Sequence, residues 1–128
     1  MMKAQELKYT KNHIWAHASG DVATIGLSEF AQQEMGDIVF VEMPEKGKKV
    51  KKDESVGTVE SVKSVSDILS PLSGEVVDTN KTLEDAPETI NKDPLGNGWI
   101  LKLKMSNSGE LAGLMDYAAY TAFTESER

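Results

Sequence analysis

Residues 56–76 read VGTVESVKSVSDILSPLSGEV, and the spacing inside this stretch decides what kind of fold the chain adopts. Valines flank Lys63-Ser64 on both sides, so with those two residues as the loop of a hairpin Val62 faces Val65, Ser61 faces Ser66 and Glu60 faces Asp67. That register sets Lys63 at the tip. A lysine-serine pair suits a type I′ turn poorly, because such a turn needs positive φ at both central positions, and the turn type stays open. Carboxylates directly opposite each other destabilise a hairpin by up to about 1 kcal/mol. Either something other than stability favours Glu60 and Asp67, such as recognition by an enzyme that modifies Lys63, or the register is shifted so that they do not meet.

Outward from the hairpin, short alternating apolar runs at 14–18, 22–25, 38–43, 55–60, 65–69, 74–78 and 99–105 read as strands. Gly20-Asp21 and the segments 44–47, 71–74 and 94–98 supply Gly or Pro where the backbone must reverse. Gly74 is expected to shape the bend after Pro71 and so to keep the lysine hairpin presentable. Many short strands at this spacing suggest a β-sandwich or barrel. Ser28 caps a short helix through Phe30 and Met35, ended by Gly36. Ser108 or Asp116 caps helical turns through Leu111, Leu114, Met115, Tyr117, Tyr120 and Phe123, whose three- and four-residue spacing predicts a helix packed onto the sheet. The chain reads as one domain over 1–128, with the lysine hairpin at about 55–70 and a C-terminal helical segment at about 108–125.

Composition narrows the function. The 128 residues include no cysteine, which removes disulfides, thiolate nucleophiles and Cys-based metal sites; any redox sulfur must be borrowed. A net charge of -7, from 21 acidic against 14 basic residues, argues against nucleic acid as a partner and suits either solvation or partners with basic faces. No apolar run approaches the roughly 20 residues of a membrane span, and residues 1–10 lack the features of a secretory signal, so the expectation is a soluble, cytoplasmic monomer with no membrane partner. His13 and His17 lie an even number apart on an expected strand and share a face, yet without a third ligand they make a weak metal site, and no metal is expected. No nucleophile-elbow or phosphate-loop pattern is present. Glu60 with Asp67 is the one pair from which acid/base chemistry could be argued, and Trp15 and Trp99 read as packing aromatics.

Glu60-Ser61-Val62-Lys63-Ser64, preceded by Gly57 and followed by Asp67, Ser70-Pro71 and Ser73-Gly74-Glu75-Val76, resembles the lipoyl attachment segment of glycine cleavage H proteins. Leu7-Lys8-Tyr9, His13 with Trp15, residues 22–26, residues 36–42 with Pro44, and Gly98-Trp99 resemble that family's landmarks in the expected order. The neighbours Val62 and Ser64 differ from the methionines that flank the lysine of biotin carriers.

The resemblance implies a mainly β fold: a flattened β-barrel sandwich of the biotinyl/lipoyl-carrier type with a short internal helix and C-terminal helices. It implies lipoic acid as a covalent amide on Lys63, no catalytic site in the chain itself, and a swinging arm. Its partners would be a pyridoxal-phosphate glycine decarboxylase, a tetrahydrofolate-dependent aminomethyltransferase, dihydrolipoamide dehydrogenase, and a lipoate ligase or lipoyl/octanoyl transferase. The alternative is an H-like carrier that relays octanoyl or lipoyl groups, or serves a redox system, without handling glycine. Glu60, Asp67 and Gly74 are expected to serve recognition or the arm's surroundings. At position 14 the family commonly carries glutamate, which helps hold the loaded arm; Ile14 cannot accept a hydrogen bond, which leaves Asp67, with Glu34 as a possible substitute.

Overall fold

Runs that alternate apolar and polar residues fold as antiparallel strands when one face meets a core and the other meets water. In the structure, a computed structural model that describes residues 3–127, these runs are β1 (Lys8–Tyr9), β2 (Ile14–Ser19), β3 (Val22–Leu27), β4 (Ile38–Glu42), β5 (Lys49–Val50), β6 (Ser55–Ser61), β7 (Val65–Leu69), β8 (Gly74–Thr79) and β9 (Leu101–Met105). The helices are α1 (Glu29–Met35), α2 (Thr82–Asp85), α3 (Thr89–Lys92) and α4 (Tyr117–Ser126), with 3-10 turns at Ala4–Glu6 and Ser108–Gly113. One sheet has the order β1-β2-β3-β9-β8-β5 and the other β4-β6-β7. Ile25, Leu101, Leu103 and Val76 from the first meet Ile38, Val41, Val59 and Ile68 from the second in a shared core. Two β-sheets closed over one core, with a few helices added, make the mainly β sandwich that was expected.

Caps set the helix ends. Ser28 Oγ accepts from Ala31 N–H at 3.1 Å, and Gly36 leaves α1 at φ 80°, a conformation glycine adopts without a Cβ penalty. Asp116 starts α4 by accepting from Ala119 N–H at 2.8 Å. Ser108 caps nothing: the residue before the 3-10 turn is Asn107, whose side chain accepts from Gly109 N–H. The C-terminal segment is therefore broken in two, because Met115 exchanges backbone hydrogen bonds of 2.8 and 2.9 Å with Tyr9 and is held extended between the two helical pieces. Beyond that break α4 packs on the sheet through Tyr120, which stacks on Tyr9 with centroids 4.3 Å apart, in a second core with Leu7, Trp15 and Leu95.

One expectation shifts at its edge, and two short helices are added. The run 99–105 becomes a strand only at Leu101, because Trp99 N–H still closes a turn on Gly96 O. The single-turn helices α2 and α3 lie where no helical period is legible, and each exists to seat one side chain, Leu83 or Ile90, in the core. Among the described residues no helix is long and apolar enough to cross a membrane.

Candidate functional site: the lysine turn and its cleft

The hairpin of β6 and β7 pairs Glu60 with Val65, Val59 with Ser66 and Thr58 with Asp67. Glu60 therefore does not face Asp67, and Ser61 does not face Ser66: the register lies two residues from the one that places Lys63-Ser64 in the loop. The tip is Val62-Lys63, closed by Ser61 N–H donating to Ser64 O at 2.8 Å. Neither Val62 nor Lys63 has positive φ, so the turn is not type I′. What closes it is a side chain. The buried Ser61 Oγ accepts from Lys63 N–H at 3.3 Å and Ser64 N–H at 3.1 Å, so both of these donors at the tip have a partner.

A second set of bonds holds the tip from below. Val62 N–H donates to Asp37 O at 3.1 Å, in the connection between α1 and β4. That connection is itself pinned by Asn91 of α3: Nδ2 donates to Gly36 O at 2.8 Å and Gln32 Oε1 at 3.0 Å, while Oδ1 accepts from Ile38 N–H at 2.9 Å. Lys63 is exposed, and its Cε lies over Gly36 at the end of α1, 3.6 Å from where a Cβ on that glycine would stand. Among the described residues no carboxylate forms an ion pair with its ammonium. The result is a free amine on a rigid mount.

α1 also forms a wall of a cleft of about 390 Å³ lined by Leu27, Phe30, Met35 and Val59 and by the carboxylates of Glu34, Asp67 and Glu127. Asp67 and Glu34, both singled out in the sequence, thus share one cavity; Glu127, which no sequence signal marks, joins them from the C-terminal helix. Ile14 is not in that lining: it is 1% exposed and belongs to the main core. Ile14 alternates with Ala16 into the main core beside their strand partners Leu27 and Ile25, and His13, with a φ of 67°, lies outside that strand. His13 and His17 therefore do not share a strand face. His13 Nδ1 lies 2.8 Å from Tyr120 Oη, its Nε2 lies 3.1 Å from Glu127, and Tyr120 Oη lies 2.6 Å from Ser28 Oγ, so the cleft's end wall is tied to α1 and α4. Burial pushes the Tyr120 phenol up to about 12, against the Ser28 hydrogen bond that favours its ionised form; Tyr9 is raised in the same direction, again chiefly by burial.

Gly74 lies away from the tip. It opens β8 in the larger sheet, paired with Met105 and Val50, and its φ is not positive. A Cβ there would run into the carbonyl of Lys104, so the residue is required by close strand approach rather than by a bend.

Similarity to known proteins agrees with this geometry. The family pattern "Glycine cleavage H-protein" matches residues 7–127. The "Glycine cleavage system H protein" of Symbiobacterium thermophilum is 53% identical over 120 residues, covering 94% of each chain, and that of Thermotoga maritima is 48% identical over 120 residues, covering 94% of this chain and 97% of its own. The crystal structure of a glycine cleavage system H protein from Mycobacterium marinum superposes with a TM-score of 0.82 at 36% identity, over 92% of this chain and 98% of that one. With an exposed lysine on a braced hairpin, the two-sheet fold and relatives matched over nearly their whole length, the chain belongs to the glycine cleavage H-protein family.

Proposed function

We propose that the chain is the lipoyl carrier of a glycine cleavage system, with the lipoyl amide on Lys63 and no catalytic site of its own. The observation that carries this reading is the free lysine amine on a tip braced by Ser61 and Asp37 beside an acid-lined cleft. A carboxylate does not condense with an amine unless it is first activated, so a lipoate ligase or lipoyl/octanoyl transferase must form the amide, and a rigid tip suits such an enzyme.

The residues fit the group. Lysine and lipoyl chain together reach on the order of 14 Å, and a cleft of about 390 Å³ is of the size that takes small ligands. Leu27, Met35 and Val59 offer its apolar lining to the hydrocarbon chain, while Glu34, Asp67 and Glu127 would hold a cation at the far end of the arm. When bound, lipoate supplies a disulfide that takes a one-carbon amine unit at glycine decarboxylase, yields it at aminomethyltransferase, and is regenerated by dihydrolipoamide dehydrogenase. The protein's part is to present, shelter and release the arm, and attachment raises its local concentration at whichever partner docks.

Intact mass and peptide mapping of protein from its own host test the assignment. A lipoyl increment confined to Lys63, lost together with glycine cleavage in Lys63→Arg, is the expected result. Acylation chiefly at another lysine, or a working Lys63→Arg protein, overturns it; a lipoylated protein inert with glycine decarboxylase supports the relay alternative instead.

A further inference from the structure

The turn between α3 and β9 holds a pair of residues that neither the lysine tip nor the cleft uses: Asn97 is the one asparagine of the chain that a glycine follows. Such a pair is chemically labile. Glycine has no side chain to shield its own amide nitrogen, and that nitrogen can attack the carboxamide carbon of the asparagine before it. Asn97 is exposed to water, whereas Gly98 is buried. The structure pins the peptide group between them at both ends. Its N–H, on Gly98, donates to Asp93 O at 2.8 Å, and its oxygen, Asn97 O, accepts from Nδ2 of the buried Asn80 at 2.8 Å. Asn80 Nδ2 also donates to Trp99 O at 2.7 Å, and Asn97 N–H donates to Asp93 Oδ2 at 2.9 Å. A Cβ on Gly98 would stand 2.8 Å from Asp93 O and 3.0 Å from Ile90 Cα, so the glycine is pressed against the end of α3.

We propose that Asn97 is a site of spontaneous deamidation and isomerisation, and that the native turn guards it, so that opening of this turn sets the rate. Gly98 N bonds to Asn97 Cγ, and the carboxamide nitrogen leaves as ammonia, taking the proton that Gly98 N gives up. A five-membered succinimide remains. Water then opens the ring at either carbonyl, giving aspartate or isoaspartate; nothing is oxidised or reduced, and solvent is the only co-reactant. To bring Gly98 N onto Asn97 Cγ the peptide group between them must rotate. Its N–H and its oxygen are both held, so the reaction waits on local opening. Both products add a negative charge. Isoaspartate also routes the main chain through the former side-chain methylene, which lengthens the backbone by one atom between the two carbonyls that Asn80 gathers. Asn80 then cannot hold both, and the entry to β9 loosens.

Peptide mapping of protein aged at mildly alkaline pH, with and without urea, follows conversion at every asparagine and tests this. In urea Asn97 should react fastest. In native protein it should react about a hundredfold more slowly, roughly a factor of ten for each of the two bonds that pin the peptide group. Hydrogen exchange at Gly98 N–H should be slowed by a similar factor, since one opening governs both. Asn80→Ala frees the oxygen and should speed the native reaction about tenfold while leaving the rate in urea unchanged. The isoaspartyl form should melt below freshly purified Asn97→Asp, which carries the same charge on a backbone of ordinary length. The proposal is overturned if another asparagine reacts fastest in urea, if Asn97 reacts equally fast with and without urea, or if conversion in native protein outruns the opening measured at Gly98 N–H. Equal melting of the isoaspartyl form and Asn97→Asp overturns the claim that the lengthened backbone breaks the hold of Asn80.

Discussion

Replacing Asn91 with alanine removes the side chain that ties α3 to the floor of the lysine turn, and its effect can be worked out bond by bond. Three hydrogen bonds disappear: those to Gly36 O, to Gln32 Oε1 and from Ile38 N–H. A hydrogen bond contributes about 0.5–1.5 kcal/mol net, and the bond to the Gln32 side chain should fall at the low end because water can replace it, so the total is about 2 kcal/mol. For a domain of this size about 4 °C of Tm accompanies each kcal/mol, giving a fall of about 8 °C. The local consequence is larger than the global one. With residues 36–38 released, Asp37 O no longer stands fixed under Val62 N–H, and acylation of Lys63 should slow about fivefold in kcat/KM, a loss of roughly 1 kcal/mol. Asn91→Asp adds a test of sign. It keeps the acceptor for Ile38 N–H but sets an oxygen against Gly36 O and Gln32 Oε1, so at neutral pH it should be no more stable than the alanine variant. The gap should narrow as the pH falls below about 4, when the carboxyl protonates and regains a donor. Thermal melts and amide hydrogen exchange decide the matter. A loss under about 0.5 kcal/mol, or unchanged protection at both Val62 and Ile38, would show that Asn91 does not hold the turn.

Gly74→Val should cost about 2 kcal/mol or more by forcing a side chain against the Lys104 carbonyl, while the folded fraction is acylated at the wild-type rate; slow acylation of well-folded variant would return Gly74 to the role of shaping the turn. Ile14→Glu places a carboxylate at a core position and should cost about 3 kcal/mol or more at pH 7, easing as the pH falls and the group protonates; a variant with wild-type Tm and a longer-lived loaded arm would show that position 14 reaches the cleft after all. The raised phenol of Tyr120 implies an alkaline limit. A group whose folded pKa of about 12 exceeds its unfolded value near 10 contributes its full stability below pH 10 and loses it as the pH rises through 12, about 3 kcal/mol in all, with Tyr9 acting in the same direction. Tyr120→Phe should be about 1–2 kcal/mol less stable at pH 8, through its lost bonds to Ser28 and His13, yet decline less steeply from pH 9 to 11 in urea titrations; parallel alkaline slopes for the two proteins would contradict this.

Where a signal was local, the sequence was enough. Period-two runs marked seven of the strands, Ser28 and Gly36 bounded α1, Asp116 started α4, and the segment around Lys63 placed that lysine in a hairpin tip within a recognisable family pattern. The register of that hairpin was not legible, because sliding one strand by two residues returns every side chain to the same face and leaves the alternation unchanged. The choice falls to Ser61, whose Oγ gathers the Lys63 and Ser64 N–H groups only when Val62-Lys63 is the tip. Ile14 was hidden by burial on both faces: it and Ala16 enter the main core while Trp15 between them enters the second, so the start of β2 has no polar side from which its inward direction could be read. Asn91 and Glu127 were beyond reach for a different reason. Asn91 contacts Gly36 across 55 positions of chain and Glu127 meets His13 from the far end of the sequence, so their roles exist only once α3 and α4 have been carried to the site by packing. Sequence thus determined seven of the strands, the caps of α1 and α4 and the lysine, each written within a few residues of itself. The depth of the cleft, the acids that line it and the bonds that brace the turn were decided by tertiary structure, because they are made between segments that only the shared core brings together.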